Sequence, residues 1–153
     1  MIVPDTNLLL YAYDADSTQH LKAREWVEEV LSGEVPVRLP WQTVGAFLRI
    51  VTNPALRGKR FTPQEAVAII DSWLAQPNVR MLGPGEGHWS LLRQTIVEGQ
   101  VRGALMTDAQ LAALTIEHGG TLYTTDRDFS RFPGLKWQNP LTSGSAPGRK
   151  AHR

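Results

Sequence analysis

Four aspartates, Asp5, Asp108, Asp126 and Asp128, are the residues through which this sequence could do chemistry. Asp5 closes the short apolar run Ile2-Val3-Pro4. Asp108 opens a helical pattern, and Asp126 and Asp128 follow the extended piece Thr121–Thr125. Singly, each has an ordinary structural use: an Asx turn after a strand for Asp5, turns for Asp126 and Asp128, a helix N-terminus for Asp108. Brought together they would be another matter. Two carboxylates about 4 Å apart repel by roughly 4 kcal/mol at an effective dielectric of about 20. Such a cluster must bind a cation or hold its carboxyls above their usual pKa. The chain has no cysteine and these motifs have no histidine, so all the donors are oxygens, which suit Mg²⁺ or Mn²⁺. An ion held this way, with water positions left open, is an arrangement that cleaves phosphodiesters.

The elements that must position these acids are legible as alternating patterns. Ala23, Trp26, Val27, Val30 and Leu31 have the spacing of a helix with one apolar face, and so do Trp41, Val44, Leu48 and Val51. Thr62-Pro63-Gln64-Glu65 opens a third helix with a capping box, followed by the stripe Ala66, Ile69, Ile70, Trp73 and Leu74. A fourth helix is expected over Glu86–Glu98. A fifth runs from Thr107-Asp108 to His118, stopped by Gly119-Gly120. Between them lie strand candidates at Ile2–Pro4, Val37–Leu39, Val79–Leu82, Thr121–Thr125 and Leu135–Trp137. Short strands separated by helices imply an α/β fold with a mostly parallel sheet and helices on both faces. Ligands of such sheets bind beyond the carboxyl ends of the strands, which is where Asp5 and Asp126 fall.

The 153 residues suit one domain. The expected folded unit is residues 1 to 140, and residues 141–153 form a flexible basic tail of small and polar residues. The sequence shows no signal-peptide pattern and no apolar run of membrane-spanning length, so the expected setting is the cytoplasm. Net charge is only +1, but a second basic concentration, Arg49, Arg57, Lys59 and Arg60, contains no acid and could track a phosphate backbone. The same run on a solvated loop would need no such role.

Other signals carry less. Gly83-Pro84-Gly85-Glu86-Gly87 lacks the Lys-Ser/Thr ending of a phosphate loop and reads as a turn. The four histidines have no metal spacing. Trp26, Trp41 and Trp73 lie on apolar stripes and read as core.

The order Ile2-Val3-Pro4-Asp5-Thr6-Asn7, then Thr107-Asp108-Ala109-Gln110-Leu111-Ala112-Ala113-Leu114, then Thr124-Thr125-Asp126-Arg127-Asp128-Phe129 resembles the PIN domain of VapC-type toxin ribonucleases. Leu39-Pro40-Trp41, Phe47-Leu48-Arg49-Ile50 and Arg131-Phe132-Pro133-Gly134-Leu135 extend the likeness over about residues 1 to 140. The resemblance implies a three-layer α/β/α sandwich and a Mg²⁺- or Mn²⁺-dependent endoribonuclease that is the toxin of a toxin–antitoxin pair. Asp5, Asp108 and Asp126 match its catalytic and metal-binding acids, and Asp128 a further metal ligand. Asn7 and Thr125 are then expected to support the pocket. Implied partners are an RNA substrate, a small cognate antitoxin and a second copy of the chain in a homodimer.

One position departs from that pattern. Where these toxins generally carry a glutamate in the second helix, this chain has Ala46, and the segment from Val35 to Lys59 contains no acid. Ala46 lies off the Trp41/Val44/Leu48/Val51 stripe, so its face, shared with Arg49 and Asn53, is expected to look into the groove. The alternative reading is a catalytically silent module that binds RNA or an antitoxin.

Overall fold

The computed structural model describes residues 1–55 and 60–142. Arg57, Lys59 and positions 143–153 of the expected tail lie outside the described residues. The chain forms β1 (Ile2–Pro4), α1 (Thr6–Ala12), α2 (His20–Leu31), β2 (Val37–Pro40), α3 (Trp41–Val51), α4 (Pro63–Leu74), β3 (Val79–Leu82), α5 (His88–Gly99), α6 (Met106–Glu117), β4 (Thr121–Tyr123) and β5 (Trp137–Gln138). Two 3₁₀ turns, Gly103–Leu105 and Arg127–Arg131, precede α6 and follow β4.

All strand pairs are parallel, in the order β3-β2-β1-β4-β5. The winding reverses between β1 and β4, and a crevice opens at such a switch point beyond the strand ends. Pro4 pairs with Tyr123, so Asp5 and Thr124 leave the sheet side by side. The Asp5 N–H still donates to the Tyr123 carbonyl at 2.9 Å.

Alternation along the strands loads both faces. Ile2, Val37, Leu39, Val79 and Tyr123 pack under α1 to α4 with Trp26, Phe47 and Trp73. Val3, Leu82 and Leu122 pack with Ala109, Leu111 and Leu114 of α6 and with Phe129 and Phe132. The result is the expected α/β/α sandwich. Leu141, the first residue past the expected boundary, is buried against the first of these cores. Among the described residues no helix is long and apolar enough to cross a membrane.

Four local readings change. Helix α1 was not expected, because Leu8-Leu9-Leu10-Tyr11-Ala12 is uninterrupted by polar residues and shows no period; Asp5 caps it by accepting from the Thr6 N–H. The buried face of α3 is Thr43, Val44 and Phe47, with Leu48 and Val51 packed only in part. Trp41 is correspondingly not core: it is 64% exposed, the first residue of α3 after Pro40, with its indole over Gly83. Strand β4 is Thr121–Tyr123 rather than Thr121–Thr125, and β5 is Trp137–Gln138 rather than Leu135–Trp137.

Candidate active site

The carboxyl end of β1 delivers Asp5, the first turn of α6 delivers Asp108, and the 3₁₀ turn after β4 delivers Asp126 and Asp128. Carboxylate oxygens of Asp108, Asp126 and Asp128 lie within 4.8 Å of one another. Asp5 stands outside that trio. Its Oδ1 accepts from the Thr6 N–H at 2.7 Å and its Oδ2 from the Thr124 hydroxyl at 2.8 Å. Asp126 caps its own turn, accepting from the Asp128 N–H at 2.8 Å. The ordinary cap uses of Asp5 and Asp126 are therefore real, and the convergence is added to them.

The electrostatics register that convergence. Burial raises the Asp5 carboxyl above its usual range; the hydrogen bonds from Thr124 and Thr6 oppose this, and the charge of Asp126 adds to it. Asp108 is pushed up to about 6, first by burial and then by the charges of Asp126, Asp5 and Asp128, with Arg131 partly relieving it. Four like charges held close, with one cation nearby, make a site that gains from a positive ion.

A divalent ion fits the donor set. Mg²⁺ sits at about 2.1 Å from its oxygens, so opposite corners of its octahedron are about 4.2 Å apart. Three carboxylate oxygens within 4.8 Å of one another are near that span, and side-chain rotation would draw them onto one ion.

The supporting residue is Thr124 rather than Thr125. Thr124 is fully buried, donates to Asp5 and accepts from the Asp126 N–H at 3.0 Å, while Thr125 is half-buried beyond it. The strand's two-residue alternation held the signal: Leu122, Thr124 and Asp126 fall on one side, and Thr125 on the other. Asn7 is exposed on α1 and makes no hydrogen bond to the acids among the described residues. Arg131, which the sequence reading passed over, is the cation that acts on Asp108.

Helix α3 reaches the site through Gln42, whose amide donates to the Thr107 carbonyl at 3.2 Å, next to Asp108. Ala46 and Arg49 follow Gln42 at i+4 and i+7, so one helical face carries all three toward the start of α6. Arg49 is exposed on that face. Asn53 is turned to local use, accepting from the Ala55 N–H. Arg60 is exposed and donates back to the Pro54 carbonyl of its own loop.

An acid cluster at the β1/β4 switch point of a five-stranded parallel sandwich defines a class, and comparison with known proteins agrees with it. The PIN domain profile matches residues 2–135, so the chain belongs to the PIN-domain family. Within it the chain belongs with the VapC proteins. It is similar to Ribonuclease VapC33 of Mycobacterium tuberculosis, 36% identical over 141 residues, which cover 92% of this chain and 99% of that protein. Two solved structures share the fold. VapBC2 from Rickettsia felis, bound to a DNA fragment from its promoter, matches with a TM-score of 0.66 at 17% identity, covering 91% of this chain and 98% of that one. VapC20 of Mycobacterium tuberculosis, described as a Sarcin-Ricin loop cleaving toxin, matches at 0.63 and 19%, covering 89% and 99%.

Proposed function

We propose that this protein is the toxin of a toxin–antitoxin pair and hydrolyses RNA phosphodiester bonds at the Asp5/Asp108/Asp126/Asp128 pocket with Mg²⁺ or Mn²⁺. The observation that carries the reading is the convergence of the Asp108, Asp126 and Asp128 oxygens within 4.8 Å in a chain of this family. Support for RNA as substrate comes from the 36% identity to a protein named a ribonuclease. The nuclease unit runs through Leu141, followed by the basic tail. The remaining partners are a small cognate antitoxin and a second copy of the chain.

Asp108, Asp126 and Asp128 would hold the ion, with the charge of Asp5 close enough to act on Asp108 and to feel Asp126. When bound, the ion activates a water and neutralises charge on the phosphate. Thr124 fixes the carboxylate of Asp5 and the backbone at Asp126, so the acids from two strands keep one spacing. Gln42 ties α3 to the turn that presents Asp108. Arg49 and Arg131 border the pocket as the cations that meet the RNA backbone, with Arg57, Lys59 and Arg60 continuing the path.

The test is cleavage of a total-RNA pool by purified protein in Mn²⁺, Mg²⁺ or EDTA, beside Asp5→Ala and Asp108→Ala. Discrete fragments that disappear in EDTA and in both variants support the proposal. Equal behaviour of wild type and folded variants, free of antitoxin, overturns it and leaves a silent binding module, the reading that Ala46 favours.

A further inference from the structure

Far from the acids, at the amino ends of β2 and β3, the sheet carries two arginines side by side. Arg38 and Arg80 are Cα partners on adjacent strands. They alternate with Val37, Leu39 and Val79, so their side chains leave on the α5–α6 face, beyond the part of it that those helices cover. Like charges directly opposite on neighbouring strands destabilise a sheet. An edge strand gains from one charge that blocks unwanted pairing, which accounts for Arg80 on β3 but not for Arg38 on β2, paired on both sides.

Both guanidiniums are held in place by carbonyls. Nη1 of Arg38 donates to Val37 and Asn78 at 3.1 and 3.2 Å. Nη1 of Arg80 donates to Val79 and Pro77 at 3.0 and 3.4 Å. These bonds orient the two forks and leave Nε and Nη2 of each outside them. Among the described residues neither arginine is in an ion pair. Both line an open pocket of about 430 Å³ with Gly33, Pro36 and Pro77; Glu34 lies on its wall and closes on neither guanidinium.

We propose that this pocket binds a phosphate group between Arg38 and Arg80. A tetrahedral oxyanion can accept from two forks at once and cancels the repulsion that the register creates. The site lies at the opposite strand ends from the acid pocket, so its phosphate is not the one being cleaved. It is either free phosphate or a distant backbone phosphate of a folded RNA wrapped around the sheet edge. The RNA source rests on the ribonuclease reading above, and the free source does not.

Two arms test it on the full chain. In the first, inorganic phosphate is titrated against the thermal midpoint of wild type and Arg38→Gln/Arg80→Gln. In the second, binding of a folded RNA pool is measured in EDTA across a range of salt. Phosphate should raise the wild-type midpoint and leave the double variant unmoved. RNA affinity should fall at least about tenfold, with the slope of log affinity against log salt reduced by roughly 2. Lost phosphate protection with unchanged RNA affinity also supports the site and assigns it to free phosphate. If both responses are the same in wild type and variant, the proposal is overturned. Should the double variant misfold, each single variant is read instead: a weakened phosphate response supports the site, and indifference in both overturns it. Failure of the ribonuclease reading looks different, because cleavage would then be absent while phosphate still protects the wild type.

Discussion

The Thr124 hydroxyl donates to Oδ2 of Asp5 at 2.8 Å, joining residues 119 positions apart in sequence, and the same oxygen accepts from the Asp126 N–H. One buried hydroxyl thus sets the spacing between the acid that follows β1 and the acids that follow β4. Thr124→Val keeps the shape and removes both bonds. The loss should cost about 1 to 3 kcal/mol in denaturant unfolding, since it strands buried polar groups. Half-saturating Mn²⁺ should rise about 10- to 100-fold. Thr124→Ser should restore both within about threefold. Unchanged metal affinity in the folded valine variant would remove Thr124 from the site.

The acids themselves were legible because each sits where a parallel sheet must open: Asp5 and Asp126 beyond strands, Asp108 at a helix start. The five strands were legible for the same reason, as short apolar pieces between helical stripes. What the sequence concealed depended on neighbours far along the chain. Thr124 and Thr125 look alike until the pairing of Pro4 with Tyr123 puts Thr124 beside Asp5. The apolar run over Leu8–Ala12 has no period, because its buried and half-buried positions alike are hydrophobic. The stripe on α3 was misplaced because Trp41, Val44, Leu48 and Val51 satisfy helical spacing, whereas the face that is buried runs through Thr43, Val44 and Phe47.

That misassignment makes a sharp comparison. Trp73 is 1% exposed, meets Phe47 at 4.8 Å between ring centroids, and donates to the Tyr13 hydroxyl at 3.0 Å. Trp73→Ala should cost about 3 to 5 kcal/mol through cavity formation. Trp41→Ala removes an indole of the same size that is mostly in water, and should cost less than about 1 kcal/mol. Urea unfolding of the two variants measures both, and equal costs would contradict the exposure of Trp41.

Glu117, at the end of α6, carries a pH dependence away from the acid pocket. Burial opposes its charge, but the His88 ring bond at 2.8 Å, the Gly85 N–H at 2.9 Å and the nearby charges of His88 and His118 outweigh it. Its pKa is therefore lowered from 4.5 in the folded chain. As pH falls below about 4.5 the unfolded chain takes up the proton first, so stability must fall with pH there. The contribution is complete above the unfolded pKa and is lost as pH drops through the folded one. Glu117→Gln should flatten the thermal midpoint between about pH 5 and 3 relative to wild type, which a pair of calorimetric series would show. Parallel curves would mean that Glu117 contributes no such linkage.

Ala46 offers the most direct probe of how the pocket is completed. Gln42, one turn earlier on α3, touches the carbonyl beside Asp108, so a carboxylate at position 46 would enter from the same face. Ala46→Glu adds a fifth acid to a group in which Asp108 is already raised to about 6 by burial and its neighbours. Without metal, the added repulsion should lower the thermal midpoint. With Mn²⁺ the order should reverse, because affinity for a hard cation grows with the number of carboxylates around it. Half-saturating Mn²⁺ should fall about tenfold, equivalent to roughly 1.4 kcal/mol. A variant that loses stability in EDTA and gains nothing from Mn²⁺ would mean that the α3 face does not reach the ion, and that the pocket is complete with the four aspartates alone.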